Sequence, residues 1–125
     1  MVSSRLLRPG VWEICLRRPD KKNAFDLPMA RQITRAFDEA AGNPQARVVL
    51  LRGAGAYFCT GGDIGWMEQV LAASASVQRE SAAAIVNMMH AVHRLPQPLV
   101  AYVHGAAMGG GVGLACCADV VVAEA

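Results

Sequence analysis

Two stretches of the chain combine glycines and small residues in a way that can present main-chain donors to a ligand. The first is Phe58-Cys59-Thr60-Gly61-Gly62-Asp63-Ile64; the second runs from His104 through Gly105, Met108, Gly109, Gly110, Gly111 and Gly113 to Leu114. Glycine permits positive φ and close approach of a ligand to the main chain. The first N–H groups of a helix lack partners within it and favour negative charge. Two such turns brought together offer two donors to one oxygen, an arrangement that stabilises an enolate or a tetrahedral oxyanion. Loss of one donor of this kind costs about 3–4 kcal/mol of barrier lowering. Glycine spacing alone fits tight strand-to-helix packing equally well.

Other chemistries can be tested against the same residues. A phosphate-binding P-loop needs Lys followed by Ser or Thr after its glycines, where this chain has Gly111 and Val112. A dinucleotide fingerprint has Gly109 and Gly111 but meets Leu114 where its third glycine belongs. No G-x-S-x-G nucleophile elbow occurs. His90 and His93 are three residues apart without a third ligand nearby, which reads as surface or packing rather than metal, so no metal site is expected. His104 ends a strand and either packs against the second turn or hydrogen-bonds it. Asp63 and Glu68 are the carboxylates nearest the first turn. General acid–base work needs a carboxyl within hydrogen-bond reach of the moving proton, but Asp63 reads better as a helix cap.

The elements that must position these turns follow from apolar patterning. Val11–Leu16 reads as a strand closed by Arg17-Arg18-Pro19-Asp20. Asp26 caps a helix through Ala41, with Pro28 in its first turn and Met29, Ile33, Ala36, Phe37 and Ala40 on one face; Gly42-Asn43-Pro44 stops it. Arg47–Arg52 reads as a strand buried on both faces. Helices are expected over Ile64–Leu71 and Ser76–Leu95, the latter with Ile85, Met88, Met89 and Val92 on one face. Strands at Leu99–Val103 and Asp119–Ala123 flank a helix over Gly111–Ala118. Alternation of strand and helix predicts a layered α/β fold in one domain over 11–125, preceded by an N-terminal extension over 1–10.

Composition narrows the function classes. The 125 residues are 54% hydrophobic and 18% charged, the opposite of a disordered segment, and the net charge of +2 with no basic-aromatic run argues against nucleic acid. Leu95–Ala118 carries no charge, yet Pro96, Pro98, His104 and the glycines fit a strand, turn and helix better than a membrane span. Cys15, Cys59, Cys116 and Cys117 lack CxxC spacing and read as reduced, small core residues, so a cytoplasmic location is expected.

Four stretches, taken in order, resemble the enoyl-CoA hydratase/isomerase family, also called the crotonase family. They are Arg18-Pro19-Asp20-Lys21-Lys22-Asn23-Ala24-Phe25, Val48–Gly55, Phe58–Asp63, and His104–Gly113 with its trailing Asp119. The resemblance implies a crotonase-like fold of repeated ββα units, truncated in this chain. It implies an acyl-CoA substrate, with coenzyme A as part of the substrate and no separate cofactor. The N–H groups of Gly62 and Gly110 are then the oxyanion donors, and Lys22, Ala24, Thr60, Gly62, Asp63, Ile64, Met108, Gly110 and Gly113 border the substrate. Arg17, Arg18, Lys21 and Lys22 form an anion-facing set for the CoA phosphates, some of them an ordinary solvated turn. Family members assemble as homo-trimers or pairs of trimers.

Two departures bear on activity. The family commonly has Asn where Arg17 stands. Its hydratases often carry a glutamate where this chain has Gly113, and a second glutamate lies beyond Ala125. Three readings therefore stand: a hydratase or isomerase acting through an enolate, an acyl-CoA-binding module without turnover, and a nucleotide-dependent oxidoreductase. Asp63-Ile64-Gly65-Trp66-Met67 resembles family members that hydrate branched or glutaconyl-type CoA esters.

Overall fold

A computed structural model describes residues 1–125. Because strand side chains alternate faces, Ile14 and Leu16 of β2 (Val11–Leu16), Val49 and Leu51 of β3 (Val48–Gly53) and Leu99 of β4 (Leu99–Val103) share one side of a sheet. All five are buried there. With β1 (Val2–Arg8) and β5 (Val120–Ala123) the sheet order is β1-β2-β3-β4-β5. β1 runs antiparallel to β2, and the other neighbours are parallel. Residues 1–10, expected as an extension, thus form the antiparallel edge strand of the sheet and a tight turn at Gly10 (φ 81°).

Parallel neighbours require crossovers, and helices supply them. α1 (Leu27–Ala41) begins where Asp26 Oδ1 accepts a hydrogen bond from Met29 N at 3.0 Å, and it buries Met29, Ala30, Ile33, Ala36, Phe37 and Ala40. α2 (Ile64–Leu71) and α3 (Ala75–His93) together connect β3 to β4. α3 buries a stripe of small residues, Ser81, Ala84 and Ala91, with Met88 and Val92; Ile85 and Met89, expected on the core face, are half-buried. Small residues let α3 lie close along α1. α4 (Gly110–Cys116) precedes β5.

Two expectations about burial need correction. In β3 only Val49, Leu51 and Gly53 are buried, and Val48, Leu50 and Arg52 are half-buried, because the helices cover one face of the sheet. Cys116 is exposed and Cys117 half-buried. The seven-residue α4 turns only Gly111, Leu114 and Ala115 inward. The charge-free stretch from Leu95 to Ala118 folds as β4, a turn and α4, and no helix is long and apolar enough to cross a membrane.

Between each parallel strand and its helix the chain makes a single-residue parallel bridge. Phe25, between β2 and α1, pairs with Gly62, between β3 and α2; Cys59, in that same segment, pairs with Ala107, between β4 and α4. Strand, bridge and helix recur three times, and the bridges stack the three connecting segments in a second layer. Both glycine turns lie in this layer.

Candidate functional site

The first turn is held from both sides. Phe25 N donates to Gly61 O at 2.8 Å and Asp63 N to Phe25 O at 2.9 Å. Cys59 N donates to Ala106 O at 3.3 Å, and Met108 N to Cys59 O at 3.0 Å, which ties the second turn alongside. Gly61 has φ 92°, and a Cβ there would lie 2.9 Å from Met108 O and 3.0 Å from Gly110 N. Only glycine lets the two turns approach this closely. Within that contact the N–H groups of Gly62 and Gly110 donate no hydrogen bond inside the chain. Unpaired main-chain donors next to a cavity are uncommon.

Two cavities meet at this point. One, of about 450 Å³, is bordered by Asp20, Lys21, Lys22, Ala24, Thr60, Gly62, Asp63, Ile64, Gly65 and Met108. The other, of about 410 Å³, lies between α2 and α3 and is bordered by Phe25, Gly62, Trp66, Met67, Val70, Leu71, Gln78, Ser81, Ala82, Ile85 and Gly110. Gly62 belongs to both. Of the nine residues expected at the site, Lys22, Ala24, Thr60, Gly62, Asp63, Ile64 and Met108 border the first cavity, and Gly110 joins Gly62 on the second. Gly113 borders neither, and a Cβ there would meet Met89 Cε at 3.1 Å.

Sequence reasoning missed what fixes the first turn. Lys22 (φ 54°) and Asn23 (φ 56°) are consecutive left-handed residues, a conformation that costs an ordinary side chain on the order of 1 kcal/mol or more each. Asn23 is fully buried, and its side chain makes three hydrogen bonds: Oδ1 accepts from Arg18 N at 2.8 Å, and Nδ2 donates to Ala54 O at 2.9 Å and Tyr57 O at 2.8 Å. The turn it holds offers Lys22 O to Thr60 N at 3.2 Å and to Thr60 Oγ1 at 3.3 Å. Cys59 Sγ donates to Asn23 O at 3.2 Å and accepts from Gly61 N at 3.4 Å. Burial pushes the Cys59 thiol up to about 11, so it serves as a neutral bridge and not as a nucleophile.

The four basic residues divide. Arg17 Nε donates to Ser3 Oγ at 2.7 Å. Arg18 donates to Ala24 O at 2.9 Å and pairs with Asp63 at 2.9 Å and Asp26 at 3.4 Å, so it locks two helix caps to the turn. Lys21 and Lys22 border the first cavity, and Lys22 Nζ stands 5.2 Å from the Tyr57 ring centroid. Asp63 caps α2 by accepting from Trp66 N at 3.0 Å; that bond, then Arg18, holds its carboxyl below the usual range. Glu68 borders neither cavity. His104 Nε2 lies 2.7 Å from Gly55 O and its ring stacks on Tyr102, which ties the second turn to the end of β3. No group of three or more His, Cys, Asp or Glu is placed to hold a metal ion.

Comparison with known proteins places the sequence and the fold. The family described as enoyl-CoA hydratase/isomerase matches residues 11–125. An enoyl-CoA hydratase of Alternaria alternata, AFT6-1, is 36% identical over 118 residues, covering 94% of this chain and 38% of its own. Among solved structures, Pseudomonas aeruginosa AtuE superposes with a TM-score of 0.90 at 37% identity, covering 99% of this chain and 48% of its own. An enoyl-CoA hydratase of Shewanella pealeana gives a TM-score of 0.91 at 32% identity, covering 98% and 46%. The chain belongs to the enoyl-CoA hydratase/isomerase family, and its fold is the crotonase fold. It spans less than half the length of these relatives.

Proposed function

We propose that the chain takes up an acyl-CoA thioester and polarises its carbonyl between the N–H groups of Gly62 and Gly110. The observation that carries this reading is the place of Gly62 on both cavities. A ligand with an anionic head beside Lys21 and Lys22 and an apolar tail between α2 and α3 crosses the two unpaired amides at its middle. The second cavity is an open groove with an apolar wall of Phe25, Trp66, Met67, Val70, Leu71 and Ile85, and a ligand tail lying on that wall displaces water from beside the donors, where they act most strongly on a developing oxyanion. No Lys, Arg or His borders that cavity. A neutral branched acyl group suits it better than a glutaconyl-type tail, whose carboxylate has no counter-charge there.

The proton-transfer half of the reaction is a separate matter. No carboxyl or imidazole borders the apolar cavity, and Asp63 is engaged by Trp66 N and Arg18. This favours, for the 125 residues themselves, binding and carbonyl polarisation without turnover; hydration or isomerisation needs a proton carrier from outside them. Assembly as a trimer or a pair of trimers, and a cytoplasmic location, belong to the same family-based reading. Calorimetry with crotonyl-CoA and free CoA, beside a turnover assay on the same enoyl-CoA, tests it. We expect crotonyl-CoA to bind about ten-fold more tightly than CoA, the equivalent of one or two ordinary hydrogen bonds between neutral groups. Equal affinities would refute the carbonyl grip, and turnover by this chain would refute the division of labour.

A further inference from the structure

β1 ends the sheet and has a neighbour, β2, on one side only. In an antiparallel pair alternate residues turn their N–H and C=O groups away from the partner strand, so β1 presents an unpaired row on its free side. Edge strands are ordinarily guarded by a bulge, a proline or a charge. In β1 the irregularity falls between Leu6 and Arg8, and Pro9 follows the strand, so the regular stretch Val2–Leu6 has neither. Its one charge, Arg5, is folded onto Glu13 at 2.9 Å. Val2, Ser4 and Leu6 pair with Leu16, Ile14 and Trp12 and share the helix side of the sheet. On that side Val2 and Ser4, with Gln32, Arg35, Ala36 and Glu39 of α1, border a groove of about 310 Å³. Arg35 and Glu39 lie one helical turn apart on one face. Both are exposed, and neither takes part in any ion pair.

We propose that this margin is an interface for a second copy of the chain, the two β1 strands pairing antiparallel about a two-fold axis at Ser4. The register follows from residue types. Centred on Ser4, Leu6 faces the partner's Val2 and Arg5 faces the partner's Ser3; centred on Arg5, two arginines would oppose each other. The axis stands normal to the sheet, so both α1 helices lie on the same side and run in opposite directions. Opposite charges one turn apart are then self-complementary: Arg35 meets the partner's Glu39, and Glu39 meets the partner's Arg35. The contact uses neither glycine turn and neither cavity that Gly62 borders, so it stands or falls independently of the acyl-CoA reading.

The test is sedimentation of the 125-residue chain, with cross-linking in a Cys116→Ser, Cys117→Ser background that removes the accessible thiols. The chain should sediment as a dimer. Directly opposed residues bring their Cβ atoms within about 5.5 Å. Ser4→Cys should therefore form an intermolecular disulfide with oxidised glutathione, and Ser3→Cys, which faces the partner's Arg5, should not. Glu39→Arg turns two attractions into two repulsions and should weaken the dimer about ten-fold or more. Arg35→Glu combined with Glu39→Arg should restore it, with urea midpoints close to the parent's throughout. A monomer overturns the proposal. A dimer that Ser4→Cys does not cross-link, or that Glu39→Arg leaves as tight as before, forms elsewhere, such as at β5 on the opposite edge, and overturns it equally.

Discussion

The two glycine turns present one free amide each, but they are held in different ways. The first is braced by four side chains from two segments: Arg18 and Asn23 from the connection between β2 and α1, and Cys59 and Asp63 from the turn itself. The second has no capping side chain; Gly109 precedes α4 with φ 53°, and Met108 and Gly109 are exposed. Its place is set by main-chain bonds to Cys59 and by the bond from His104 to Gly55 O. The first turn is therefore a fixed jaw, and the second is registered against it. Perturbing the first should move both amides, and perturbing the second should move one.

The largest effect expected is at the second amide itself. Gly110→Pro removes the N–H and should abolish the preference for crotonyl-CoA over CoA; in any assembly that turns over, the rate should fall about a hundred-fold or more. A Cβ at this position also meets the Phe25 ring. Gly110→Ala keeps the N–H and adds the same crowding, so it is the necessary control. If both variants lose the preference equally, the loss is steric and says nothing for the donor.

Next comes the brace. Asn23→Ala strands the partners of three buried hydrogen bonds and leaves alanine at a left-handed φ, at a cost of about 3 kcal/mol in urea unfolding. Asn23→Gly adopts that φ freely and should recover part of the loss. Amide spectra of either variant should show both Gly62 and Gly110 displaced, because the second turn is registered against the first. Displacement of Gly62 alone would mean that the second turn is held independently.

A smaller effect appears in acid. Glu13, on the sheet face away from the helices, is 2% exposed between Arg52 at 2.7 Å and Arg5 at 2.9 Å. Burial pushes its carboxyl up, but the bonds from Arg52 and Arg5 outweigh this and hold it below its ordinary 4.5. Asp63, bonded to Trp66 N and Arg18, lies below its ordinary 3.8. Folded-state values below unfolded ones mean that the unfolded chain takes up protons first as pH falls. The stability these groups contribute is complete above about pH 5 and drains away as pH drops through their depressed values. Urea midpoints should be flat from pH 7 to 5 and decline below it; for Glu13→Gln with Asp63→Asn together, the decline should be shallower.

The smallest effect is chemical. A thiol reagent should label Cys116 first and Cys117 more slowly, leaving Cys15 and Cys59 untouched in the folded chain, because the latter two are buried and burial raises their thiols.

Much of this was legible from residue types. The apolar spacing of α1 and its Asp26 cap fixed that helix to within a residue; the site residues came from the family resemblance and not from residue types, and seven of the nine that it implies border one cavity. The rest was hidden for identifiable reasons. β1 reads poorly because five of its seven residues are exposed, so it lacks the buried alternation that marks a strand. The bridges at Phe25, Cys59, Gly62 and Ala107 are one residue long and leave no periodicity at all. Asn23 stood inside a recognised motif, yet a buried amide at positive φ has no pattern of its own.

Two amides that share one carbonyl oxygen weaken its double bond, and infrared spectroscopy of a carbon-13-labelled thioester reads that bond directly. Bound crotonyl-CoA should show its carbonyl stretch at lower frequency than in water, with most of the shift lost in Gly110→Pro and kept in Gly110→Ala. A bound carbonyl that vibrates as it does in water, or a shift indifferent to Gly110→Pro, would mean that the two amides do not hold the thioester oxygen.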